Sequence, residues 1–182
     1  MRRLPVYFLI DTKSEIGSEE LAALNNGTNV MLSSLKYNPQ LIETCHISIN
    51  SLSVNSYKIN ELIPIENITS IKLICTESCF LGKSISLLSE FLQKQILKNQ
   101  EGKGDWKPIV FILLLNEPDD DYIRHISHYK KLSHTTVVVV FNENMDIAKL
   151  TSLTENVVKG SEVDSGTLGK FFWWSEDLCI SS

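Results

Sequence analysis

Asp11-Thr12-Lys13-Ser14-Glu15 follows directly on the apolar run Leu4 to Ile10. A carboxylate just past a buried strand lies where open α/β sheets bind ligands. It could serve as a hard oxygen ligand for a cation, as a nucleophile, or as an acceptor for nearby backbone amides. Glu15, Glu77, Glu117, Asp119, Asp120 and Asp121 could share its rim and assemble a calcium-like oxygen site. The plainer reading places Asp119 to Asp121 at the positive end of a helix dipole, with Pro118 early in that helix. Cys75 and Cys79 could join a zinc site only with two further ligands, and no histidine pair stands near them. His125 and His128, three apart on an expected helix, could share a ligand, but such pairs are more often surface residues. His134 and Cys79 would make a base and a nucleophile only if the fold joined them, which the sequence does not require. A phosphate-binding loop, GxGxxG, GxSxG and a cysteine followed by arginine six residues on are all missing.

These residues must be positioned by one domain of 182 residues, 43% hydrophobic and 21% charged. That composition suits a folded chain needing no disulfide or metal staple, and it excludes a disordered or collagenous one. Net charge is −5, and Lys36, Lys94, Lys98, Lys103 and Lys107 are scattered, which speaks against nucleic-acid binding. No apolar run nears the ~20 residues of a membrane span. Met1-Arg2-Arg3 before Leu4 to Ile10 has the charge of a signal peptide. The apolar part is too short, contains Pro5 and ends at Asp11, so a first strand and a cytoplasmic location are expected. Cys45, Cys75, Cys79 and Cys179 form no CxxC pair, as suits reduced thiols.

Unalternating apolar runs at Leu4 to Ile10, Ile109 to Leu115 and Thr135 to Phe141 predict strands buried on both faces. Helical spacing predicts helices from Ser18, as N-cap, to Asn38, and from Leu81 to about Asn99. Shorter helices are expected from Asp119 to Lys131, Asp146 to Thr154 and Ser165 to Glu176. Glu43 to Leu52 and Val54 to Leu62 read as an antiparallel hairpin turning at Asn55-Ser56. Ile68 to Ile74 fits strand or short helix, and Asn156 to Lys159 a short strand. The fold class is therefore α/β: a doubly wound, mostly parallel sheet with one antiparallel edge strand and helices on both faces, in a single domain over 1–182. Trp106, Trp173 and Trp174 are candidates for core packing or for a partner-binding surface.

The order of these elements, with Arg3-Leu4-Pro5-Val6-Tyr7 leading into Asp11-Thr12, resembles a von Willebrand factor type A domain. It is similar above all to the bacterial tellurite-resistance, TerY-like branch. Leu41-Ile42-Glu43-Thr44, Leu81-Gly82, Gly104-Asp105-Trp106-Lys107-Pro108, Glu117-Pro118 and Phe171-Phe172-Trp173 carry the likeness along the whole chain. The resemblance implies a metal-ion-dependent adhesion site (MIDAS): Asp-x-Ser-x-Ser, a distant threonine and an aspartate after the fourth strand. Here only Asp11 matches. Lys13 and Glu15 stand at the serine positions, Cys79 at the threonine and Leu115 at the aspartate, with Asn116 and Glu117 following. Glu77 and Ser78 replace the usual glycines before the threonine position. An ammonium, a thiol and an aliphatic chain are poor or impossible magnesium ligands. The expectation is no metal and no other cofactor, with Lys13 either facing Asp11 as a tethered cation or pointing into water.

What the resemblance implies is a bacterial, non-enzymatic interaction module of a tellurite, stress-resistance or defence system. Its protein partners would be a kinase and phosphatase pair or another von Willebrand A protein, and the rim Asp11, Lys13, Glu15, Cys79, Leu115, Asn116 and Glu117 would bind them. The alternative is a metal-dependent module using Asp11, Glu15 and Glu117. A phosphohydrolase using Asp11 is a third reading; haloacid-dehalogenase chemistry needs an aspartate where Lys13 stands.

Overall fold

The computed structural model describes residues 2–53, 56, 58–99 and 104–160. The expected helix over 165–176, with Trp173 and Trp174, and the Val54-Asn55 turn positions lie outside the described residues.

Strand β1 (Leu4–Ile10) is buried at all seven positions, as an apolar run without alternation requires. It is flanked on one side by β2 (Cys45–Ser51) and on the other by β4 (Ile109–Leu114), both parallel to it. β5 (Thr135–Val140) and β6 (Val157–Lys159) continue in parallel beyond β4. The two-residue β3 (Ile63–Pro64) pairs antiparallel with β2, giving the six-stranded order β3-β2-β1-β4-β5-β6. Pro64 suits this edge because it has no N–H to offer a further strand.

Alternate residues of the shared strands feed two cores. On one face Val6, Phe8, Ile10, Phe111 and Val139 pack with Leu24, Met31 and Leu35 of helix α1 (Ser18–Tyr37). On the other, Tyr7, Leu9, Val110, Ile112 and Val138 pack with Leu81, Ile85, Leu88 and Leu92 of α3 (Leu81–Asn99). That second face also takes Ile126 and Tyr129 of α4 (Ile123–Tyr129) and Leu150 of α5 (Ile147–Thr151).

Several boundaries differ from the sequence reading. Gly17 is the N-cap of α1 and Ser18 its first residue. Asn38 ends α1 in extended backbone, and its side chain caps a short helix α2 (Pro39–Thr44) that the sequence reading folds into the following strand. The antiparallel edge exists, but its second strand is 63–64 instead of 54–62. Side chains replace the ladder before it. The Ser48 hydroxyl donates to the Asn60 carbonyl (2.7 Å), and the Asn50 amide oxygen accepts from Asn60 N–H (2.8 Å). Residues 68–74 form neither helix nor ladder. They lie along α1, held by its asparagines: Asn25 brackets Leu73, accepting from its N–H and donating to its carbonyl, and Asn29 does the same to Ile71. Four helical residues rise about 6 Å and two extended residues about 6.6 Å, so an i, i+4 pair can bond alternate residues of a passing chain.

Candidate functional site

Neighbours β2 and β4 lie on opposite sides of β1, and the chain leaves in opposite directions from that point. The crevice beyond the carboxyl ends of β1 and β4 is thus the topological switch point. Asp11 sits in it, fully buried, its main-chain N–H bonded to Leu113 O (2.9 Å). Oδ1 accepts from Lys13 N–H at 2.9 Å, a local turn typical of aspartate. Oδ2 accepts from the main-chain N–H of Leu115 (3.1 Å) and Asn116 (2.7 Å) and from Asn116 Nδ2 (3.0 Å). Three donors thus crowd Oδ2 and one meets Oδ1, so both oxygens are bonded from within the protein. Of the two readings of this residue, backbone hydrogen bonding is the one the structure shows. Asn116, at a position usually glycine in the resembled family, adds a side-chain donor.

Lys13 does not face Asp11. Its ammonium lies 2.9 Å from Asp119 Oδ1 and 3.1 Å from Glu15 Oε1. Neither expectation for it, pairing with Asp11 or free solvation, describes this arrangement. Its main chain bridges Thr76, whose carbonyl accepts from Ser14 N–H and whose N–H donates to Thr12 O. Asp119 is pinned by its second oxygen to Cys79 N–H (2.8 Å), while its own N–H donates to Cys79 O (2.8 Å). The Cys79 amide first and Lys13 second hold the Asp119 carboxyl below the usual range; burial opposes them. The hydrogen bond to Asp119, then that to Glu15, raises Lys13.

Asp120 accepts from Gly82 N–H (2.9 Å) and Lys83 N–H (2.8 Å), amides of the first turn of α3 that have no carbonyl partner within the helix. The acidic run does serve a helix N-terminus, as the plainer sequence reading has it. The helix is α3, however, and α4 begins only at Ile123. Gly82 permits the approach, since a Cβ there would stand 2.8 Å from Tyr122 Cα. Glu117 reaches sideways, accepting from Asp146 N–H (3.2 Å).

Cys79 is fully buried. Burial first, then the charges of Asp11, Asp119 and Asp120, push its thiol well above the ordinary range, which makes it a poor thiolate. His134 precedes β5 at the amino ends of the strands, whereas Cys79 lies at the carboxyl-end rim; the fold separates them by the length of the sheet. Burial lowers the His134 pKa to about 4, and its Nδ1 has no hydrogen-bond partner among the described residues. His125 and His128 fall on α4 as expected, but no group of three or more His, Cys, Asp or Glu suited to a metal forms among the described residues. Trp106 is partly exposed, with the Arg2 guanidinium 5.4 Å above its ring.

The donor set at the adhesion position does not fit magnesium. The one residue matching the resembled pattern, Asp11, accepts from N–H donors on both oxygens. Leu115 supplies only a backbone amide, and an ammonium stands nearby. Sequence reasoning finds Asp11, Lys13, Glu15 and Asn116. It assigns Asp119 and Asp120 to the wrong helix and misses Thr76, for which only its closeness to Cys79 in sequence gives a signal.

A mostly parallel sheet with one antiparallel edge and helices on both faces, its crevice at the β1–β4 switch point, places the chain among the doubly wound folds of von Willebrand A and Rossmann-like type. No family model and no curated protein sequence matches the chain. Solved structures do. Proximal thread matrix protein 1 of the mussel byssus superposes with a TM-score of 0.69 at 11% identity, over 97% of this chain and 48% of that one. The pilus adhesin SpaC of Lactobacillus rhamnosus GG gives 0.73 at 8% identity, over 99% and 30%. Manganese-loaded TRAP of Plasmodium vivax gives 0.55 at 11%, over 93% and 71%. The chain thus spans about half of the mussel protein and under a third of the adhesin. The mussel protein is also known with a zinc-occupied MIDAS motif. At these identities the likeness is one of fold. No helix among the described residues is long and apolar enough to cross a membrane.

Proposed function

We propose that this chain is a non-catalytic protein-interaction module whose carboxyl-end rim binds a protein partner directly, without the metal that this position holds in the zinc-occupied mussel structure. One observation carries the reading: protein N–H groups occupy both oxygens of Asp11, while the nearby cation is the ammonium of Lys13, tied to Asp119 and Glu15. The rim is already hydrogen-bonded from within. It can present Lys13, Glu15, Asn116 and Glu117 as a surface around the buried Cys79 and Leu115. The alternative of a metal site rebuilt from Asp11, Glu15 and Glu117 is disfavoured, because those carboxylates are bonded to different groups. The resemblance to the TerY-like branch supports a bacterial cytoplasmic setting in tellurite, stress or defence signalling. A kinase and phosphatase pair, or another von Willebrand A protein, is the partner class.

Thermal unfolding with EDTA, then with millimolar magnesium, manganese or calcium, tests this. Any ligand binding only the folded state raises its stability, by about 2.7 kcal/mol at a hundred times Kd. We expect the same Tm throughout. A rise with any of these ions that disappears in Asp11→Asn would overturn the metal-free reading.

A further inference from the structure

We propose that the pocket at the amino ends of β5 and β6 binds a small aminocarboxylate zwitterion, its carboxylate on the Lys130 ammonium and its ammonium on the Glu155 carboxylate. The pocket lies at the end of the sheet opposite the rim and shares no residue with it. Its volume is about 300 Å³, at the small end of the range for ligand cavities. The segment from α4 to β5 lines it with Lys130 and His134, and the loop from α5 to β6 with Glu155 and Asn156. Two opposite charges thus line one small space, yet neither takes part in an ion pair among the described residues. Hydrogen bonds to other groups keep them apart. The Lys130 ammonium donates to Ser152 O (3.2 Å). The residues on either side of Glu155 are tied to β5, because the Thr154 hydroxyl (2.9 Å) and the Asn156 amide (3.2 Å) both donate to Thr136 O. Asn156 N–H also donates to the Thr154 hydroxyl (3.2 Å).

The pocket is therefore bipolar, and that selects the ligand. A simple anion satisfies Lys130 but is repelled by Glu155; a simple cation meets the reverse. A molecule carrying both charges satisfies both groups and leaves the net charge unchanged. Burial keeps the His134 imidazole uncharged at neutral pH, so it adds no third charge. Lys107, whose charge reaches His134, does not line the pocket. An ammonium has three donors and a side-chain amide two, so Lys130 and Asn156 keep N–H groups for the ligand's carboxylate beyond the bonds they already make. Leu132 and Leu153 give its short carbon chain an apolar wall.

Titration with glycine and with β-alanine, neither of which changes the ionic strength, tests this. Saturable shifts are expected at the amides of Glu155 and Asn156 and at the His134 ring, with the rim amides of Ser14 and Thr76 unmoved. Tighter binding of either compound supports the site and gives the spacing of its charges. Acetate alone and methylammonium alone, at matched ionic strength, should need a concentration roughly two- to five-fold higher for half-saturation, the range one exposed ion pair gives. Lys130→Met and Glu155→Gln should each weaken zwitterion binding by that same factor, whereas Glu155→Gln should strengthen binding of acetate. Both side chains are exposed, so the variants keep the fold, and the comparison of ligands on wild type needs no variant. The proposal is overturned by silence of both zwitterions, by acetate binding wild type as tightly as they do, or by zwitterion binding that is unchanged in both variants.

Discussion

Asp119 joins the three parts of the rim, because one carboxylate meets the Lys13 ammonium from β1 and the Cys79 amide ahead of α3. Its pKa is lowered, so the sign of its pH effect follows. It contributes stability above its unfolded value, ~3.9, and loses that contribution as pH falls through the lower folded value. Between pH 5 and pH 2, wild type should therefore lose more stability than Asp119→Asn, measured as urea midpoints at each pH. Parallel profiles would mean that the contact with Cys79 and Lys13 has no energetic weight. At this scale the sequence is legible in types and illegible in partners. Asp11, Lys13 and Glu15 stand out by their place after a buried strand. That Lys13 turns to Asp119, 106 residues on, depends on where the β4–α4 loop falls, and no local spacing encodes it.

The loop bearing Thr76 and Cys79 is set by an element that looks featureless in sequence. Residues 68–74 mix apolar and polar side chains and fit strand or helix equally. They resolve as neither, because their backbone groups are taken by Asn25 and Asn29 from α1. Asparagine inside a helix is ordinarily unfavourable, and two of them four apart are the one clue that the helix face serves a neighbouring chain. Asn29→Ala removes the hydrogen bonds to Ile71, an acceptor contact of 2.8 Å and a donor contact of 2.7 Å. At about 0.5–1.5 kcal/mol each, with better helix propensity offsetting part, the net loss should be roughly 1–2 kcal/mol. Hydrogen exchange should quicken at Ile71, Leu73 and Thr76 more than in β4. An unchanged pattern would show that packing of Ile68 and Ile71 on the core holds the segment by itself. The long elements, β1, α1, α3, β4 and β5, are readable from periodicity because packing confirms what the pattern says. The hairpin is misread because buried polar residues of β2, Ser48 and Asn50, bond a passing chain in place of a strand.

Across the whole molecule the two cores share their central strands, so neither can dissolve while the other persists. Phe111 stacks on Phe8 at 5.1 Å between centroids on the α1 face, while the adjacent Ile112 points into the α3 face. Both are fully buried. Removing either side chain leaves a cavity costing about 3–5 kcal/mol for phenylalanine and 2–5 kcal/mol for isoleucine. Total stability for a domain of this kind is about 5–15 kcal/mol. Phe111→Ala and Ile112→Ala should each lower the urea midpoint of one transition, with fluorescence and far-UV circular dichroism changing together. The coupling reaches the site, because Asp11 continues β1 and is bonded to Leu113, Leu115 and Asn116 where β4 ends. The rim amides should therefore lose protection only with global unfolding in wild type and in both variants. Two separated transitions, or a rim that opens before the cores melt, would mean that the sheet holds its faces together less tightly than its shared strands imply.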